Sequence, residues 1–171
     1  MTNQLSFPQA IATTQALMDK MNAAQLSEAE IEQELTSMIE TKNGGRGFFV
    51  AYLTSELNLA DNPSPGVINA LKSSPQTANE LLVKNLAMSS AMVVAHDRQH
   101  DLENAKGSQK VQERTCKLIQ LLKSKSIENE LQKLQMTIEA GQGDYQEFLQ
   151  RWGYDSEQQQ AIKKAIINTF S

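Results

Sequence analysis

Cysteine is nearly missing from this 171-residue chain. Cys116 stands alone, so no disulfide can close within the chain and no cysteine-rich zinc site exists. Aromatic residues are scarce at 5%, which leaves Leu, Ile, Val, Met and Ala to fill the core. Such a core suits helices better than a β-sandwich, which draws on Val, Thr, Tyr and Phe. With four prolines and eight glycines, breakers are few. No apolar run is long. The longest, residues 86–95, is interrupted by Ser89 and Ser90 and falls well short of the ~20 residues a bilayer requires. No membrane span is expected. The N-terminal residues lack a basic stretch followed by an apolar one, so no signal peptide is expected either. Basic charge is in deficit, with a net charge of -4 and a pI near 5.2, which argues against a dedicated nucleic-acid binder. This composition predicts a soluble cytoplasmic protein.

What is present is helical periodicity. Ser6 reads as the cap of a first helix carrying Ile11, Leu17, Met18 and Met21 inward. Ser27 with Glu30 forms a capping box ahead of Ile31, Leu35, Met38 and Ile39. Asn43-Gly44-Gly45 reads as the stop of that helix. Residues 46–57 are aromatic enough for a strand, but no second strand exists to pair with them, so a buried helix is expected. Residues 58–65 read as a loop, after which Ser64-Pro65 and Ser74-Pro75 each open a helix. The second of these predicts one long central helix over residues 75–105, with Leu81, Leu82, Leu86, Met88, Met92 and Val93 as its apolar ladder. Gly107-Ser108 is expected to break the chain. Residues 108–125, residues 127–140, a short helix stopped by Gly153 and a last helix capped by Asp155 follow. The fold expected is all-α: a multi-helix bundle around the long helix, one domain over residues 1–171, with residues 144–171 as a candidate C-terminal subdomain.

Candidate chemistry is sparse. His96 and His100, the only histidines, stand four apart, so on one helix both imidazoles share a face and suit two ligands of a metal ion. Asp97 occupies the position where the zinc motif needs a glutamate, and a third ligand must come from Asp101, Glu103, Cys116 or a distant carboxylate. A solvated helix end is the simpler reading. Residues 43–47 are glycine-rich, and Arg46 could hold an anion there, although no phosphate-binding motif is matched. Lys106, Lys110, Arg114 and Lys117 make a basic stripe that suits phosphates or an acidic partner and otherwise a solvated face. Cys116 reads as a buried, inert thiol. Glu28, Glu30, Glu32, Glu34 and Glu40 read as a solvated acidic face, and the methionines at 18, 21, 38, 88, 92 and 136 as core filler.

Gly45-Arg-Gly-Phe-Phe-Val-Ala-Tyr-Leu-Thr, Asn62-Pro-Ser-Pro-Gly-Val-Ile-Asn-Ala-Leu and Lys84-Asn-Leu-Ala-Met-Ser-Ser-Ala-Met together resemble a small family of uncharacterised cyanobacterial proteins, over residues 44–125. That resemblance implies no activity, cofactor or catalytic residue. The leading functional expectation is a non-enzymatic interaction or regulatory protein, meeting a protein partner or a second copy through helix faces, with no cofactor. The alternatives are a metal-binding protein using His96 and His100, or an anion or nucleic-acid binder using Arg46 or the 106–117 stripe.

Overall fold

A computed structural model describes residues 4–171. Among them the chain forms α1 (Phe7–Asn22), α2 (Glu28–Ile39), α3 (Lys42–Thr54), a 3-10 turn (Asn58–Asp61), α4 (Pro65–Ser73), α5 (Pro75–Arg98), α6 (Leu102–Leu122), α7 (Lys125–Ala140), α8 (Gln146–Trp152) and α9 (Ser156–Thr169), with no strand. The fold is all-α, as the periodicity requires. Three helix starts are complete capping boxes, at Ser6 with Gln9, Ser27 with Glu30 and Asp155 with Gln158.

The helix expected over residues 75–105 is two helices. At the end of α5 the Asp101 N–H donates to the His96 carbonyl and the His100 N–H to the Asp97 carbonyl. This is a Schellman turn, with His100 in the left-handed region at φ 57°. The Asp101 side chain then accepts from the Asn104 N–H and starts α6. Backbone geometry and a capping carboxylate end the long helix, and glycine has no part in it. Gly107, expected as the breaker, lies inside α6 with nothing within 4 Å of where a Cβ would stand.

Gly44 and Gly45 also fail to stop a helix. They lie in the first turn of α3, whose cap is Thr41. Their role, with Gly47, is close approach. A Cβ on Gly45 would meet the Leu81 and Thr77 side chains, and one on Gly47 would overlap the Ala10 methyl and approach the α1 backbone. Gly66 in α4 does the same against α2, where a Cβ would sit 2.6 Å from the Glu28 carbonyl oxygen.

The chain divides into two compact units, Met1–Leu81 and Leu82–Ser171. In the first, α1 packs on α3 and α2 on α4. Its core holds Leu17, Met18, Ile31, Leu35, Ile39, Phe48, Phe49, Tyr52, Leu53, Val67 and Leu71. Phe48 and Tyr52 stack with ring centroids 5.0 Å apart, and the Tyr52 hydroxyl donates to the Leu59 carbonyl. In the second unit α9 packs on both α6 and α7. Its buried residues include Leu86, Leu118, Ile119, Ile127, Leu131, Leu134, Leu149, Ile162 and Ile166. The start of α9 is tied down by Arg98, whose guanidinium bonds Asp155 at 2.6 Å and Glu157 at 2.8 Å. Its far end is held by Cys116 against the Thr169 hydroxyl and by the Gln120 amide donating to the Thr169 carbonyl.

The methionines do not all fill the core. Met18 and Met38 are buried, but Met92 is 39% exposed and Met136 65% exposed. Met136 points away from the stripe formed by Ile127, Leu131, Leu134 and Ile138, on the solvent side of α7.

Candidate functional site

Helices α1 and α2 follow one another in the chain yet seat on different partners. The glycine seat at Gly47 draws α1 onto α3, and the one at Gly66 draws α2 against α4. The two consecutive helices therefore leave a groove of about 840 Å³ between them. They meet at its floor, where the Thr14 hydroxyl lies 3.1 Å from the Met38 sulfur.

One wall is a stripe of α2 and its C-terminal end: Glu30, Gln33, Glu34, Ser37 and Thr41. Glu30, Gln33, Glu34 and Ser37 fall at i, i+3, i+4 and i+7 and share one face of α2, and Thr41, the cap of α3, continues the wall beyond it. Leu5 and Thr13 line the other side; Leu5 supplies apolar surface, and only the edge of the buried Met38 reaches the groove. Glu40 is a third acidic group, and among the described residues no lysine, arginine or histidine lines the groove. Glu30 is held in place by its capping box, accepting from the Ser27 N–H and hydroxyl. Among the described residues Glu34 and Glu40 make no hydrogen bond or ion pair, and both are exposed.

The acidic residues of α2 are not one solvated face. Glu28 and Glu32 turn toward α4. The Glu28 carboxylate accepts from the Gly66 N–H at 2.7 Å, and the Glu32 carboxylate from the Asn69 amide at 3.4 Å. Glu28 thus caps the first turn of α4, the task that the sequence assigns to Ser64. The Ser64 hydroxyl makes no cap bond and its oxygen is buried without a partner.

The sequence-derived candidates are scattered. His96 lies in the last turn of α5 and His100 in the turn beyond it, so no common helix face carries both. Among the described residues no group of three or more His, Cys, Asp and Glu side chains is placed to hold a metal ion. Asp101 is committed to capping α6, and its hydrogen bonds from Asn104 hold its carboxyl below the usual range. Arg46 is exposed, with its guanidinium 4.8 Å from the centre of the Phe7 ring. The basic stripe divides. Lys106 and Lys117 are exposed, Lys110 is half-buried and Arg114 is 2% exposed. At 100° per residue Arg114 lies at the edge of the stripe nearest the buried arc of Thr115, Leu118 and Leu122, which accounts for its burial. Leu121, 40% exposed, lies beside Lys117 on the open face. Cys116 is half-buried, and desolvation pushes its thiol up from the ordinary value, the opposite of an activated nucleophile.

The groove escapes a reading of single segments. Its signal is the polar stripe of α2, which is legible, but the wall opposite depends on where α1 seats.

No described helix is long and apolar enough to cross a membrane. A family model described as uncharacterised conserved protein UCP020893 matches residues 6–169. No curated protein and no solved structure matches the chain.

Proposed function

The chain belongs to the uncharacterised conserved protein family UCP020893, and we propose that it acts by binding a protein surface in the α1–α2 groove rather than by catalysis. The groove is the observation that carries this reading. A cleft of about 840 Å³ with polar and acidic walls, and with Leu5 and the edge of the buried Met38 at its base, can seat a partner segment whose polar and charged groups meet the rim. The wall residues are rigidly presented, because Glu30 is locked by its capping box and Leu35, Met38 and Ile39 anchor α2 in the core.

A photo-crosslinking residue placed at Ser37, on the groove wall, tests the reading in the cell that makes the protein. A discrete covalent adduct from position 37, with none from position 132 on the solvent face of α7, is the expected result. Uniform labelling from both positions, or none from either, removes the groove as a docking site.

A further inference from the structure

We infer that the groove takes a cationic segment of another protein, whose lysine or arginine side chains meet Glu34 and Glu40. The inference rests on the docking role proposed for the groove and names the chemistry of the occupant. Helix α2 carries four glutamates and no lysine or arginine. Three of the four already have donors. Glu28 and Glu32 take theirs from α4, and Glu30 takes the Ser27 N–H and hydroxyl. Glu34 lines the void with no donor on it among the described residues, and Glu40, just past the end of α2, lines the same void in the same condition. The facing wall offers no compensation, since Gln4, Leu5 and Thr13 are uncharged. Glu30 and Glu34 are also neighbours at i, i+4, the spacing at which like charges weaken a helix. The free chain therefore holds unbalanced negative charge around a cavity, and a cationic group seated there relieves it.

The chain's own clusters of lysine do not supply that group, because acidic side chains are set among them. On α6, Lys106 and Lys117 are interleaved with the exposed Glu103 and Glu113. On α7, Lys125 and Lys133 pair with Glu128 and Glu130, and on α9 Lys163 pairs with Glu139. The occupant is therefore a different protein. Glu30 and Glu40 are separated by about 15 Å at 1.5 Å per residue, a length that about five extended residues span. Gln33 and Ser37 lie between them and offer hydrogen bonds to the same segment. Binding is weakened by salt, because the carboxylates are exposed.

Two measurements on the full-length chain test this. In the first, pentalysine, about 17 Å long when extended, is titrated into isotope-labelled protein while NMR follows the backbone amides. The control is the same peptide with every side-chain amine acetylated, which keeps the length and removes the side-chain charge. At about 0.01 M salt, pentalysine is expected to shift amides of residues 30–41 and 4–13, and the acetylated peptide to shift none of them. At about 1 M salt the screening length falls from about 30 Å to about 3 Å, and the pentalysine shifts are expected to vanish. Glu34→Gln with Glu40→Gln is expected to weaken binding about fivefold. Glu103→Gln with Glu147→Gln, at exposed positions outside the groove, is expected to leave it unchanged. Circular dichroism checks that the variants stay helical. No groove shift at low salt, equal binding of the two peptides, binding that survives the groove variant, or shifts spread evenly over the acidic residues of the chain overturns the inference. In the second measurement, the segment crosslinked to position 37 in the cell is sequenced by mass spectrometry. It is expected to carry more lysine and arginine than aspartate and glutamate. A neutral or acidic segment, or a segment of this chain, overturns the cationic partner while the docking groove stands. Absence of any adduct from position 37 is instead the failure of the docking reading, and takes the inference with it.

Discussion

Adding a methyl group at Gly107 and at Gly47 has opposite consequences. Gly107 lies inside α6 with open space around it, so Gly107→Ala removes backbone freedom from the unfolded chain and improves helix propensity. A gain of about 0.5–1 kcal/mol in urea unfolding is expected. At Gly47 the methyl runs into Ala10 and the α1 backbone, and Gly47→Ala is expected to lose roughly 1–3 kcal/mol by overpacking. Equal stabilities for the two variants would sink the close-approach account of α3. His100 offers a third case. It occupies the left-handed position of a Schellman turn, which costs an L-residue roughly 1 kcal/mol, so His100→Gly is expected to raise the unfolding midpoint. These positions explain what a sequence reading misses. Helix starts are marked by a side chain that does the capping, so Ser6, Ser27 and Asp155 are legible. The three non-glycine residues at positive φ among those described are Ala24, His100 and Lys123, none of which advertises a turn. Of the glycines that advertise one, Gly141 and Gly153 do end helices in the left-handed region, whereas Gly44, Gly45 and Gly107 sit in helices because either a neighbour needs the space or nothing objects.

At the level of whole helices, the entry of α9 is governed by charge. Two hydrogen bonds from Arg98, together with its N-cap bond, hold the Asp155 carboxyl down to about 2, against an unfolded value near 4. A depressed carboxyl stabilises the fold above its unfolded value, and that contribution disappears as pH falls from about 4 toward 2. The difference in unfolding midpoint between wild type and Arg98→Met should therefore be present at pH 7 and shrink through this window. Both partners are nearly half exposed, so added salt should shrink it too. A difference that stays constant down to pH 2 would mean that the pair contributes nothing through charge. The identity of the helices was readable from apolar spacing, including the aromatic stretch that became α3. Their pairing was not, because it depends on which small residues line up across space. The seats of Gly47 on Ala10 and Gly66 on Glu28 bring together positions 37 and 38 residues apart, and the groove exists only as their by-product.

Taken whole, the protein gives an internal probe of its own opening. Cys116 is the single thiol; it is half-buried, lies 3.2 Å from the Thr169 hydroxyl and is shifted toward the protonated form by desolvation. Its reaction with a disulfide reagent at pH 8 should be much slower than that of a thiol in a short peptide, and should accelerate in step with urea unfolding. Labelling at the peptide rate in native buffer would show that the α6–α9 contact opens freely. Fold class and helix content were the most legible properties at this scale, since the scarcity of aromatics and the 3.6-residue period leave little choice. The division into two units was hidden, because it falls between Leu81 and Leu82, inside α5 between the first two rungs of its apolar ladder and at no loop or glycine. A fold divided at a loop can be inherited as cassettes. Here any recombination between related genes must splice within a helix. One residue gained or lost at the join turns every later side chain of α5 by about 100°, carrying Leu82 and Leu86 off the core they fill. Crossovers at this point survive only in register.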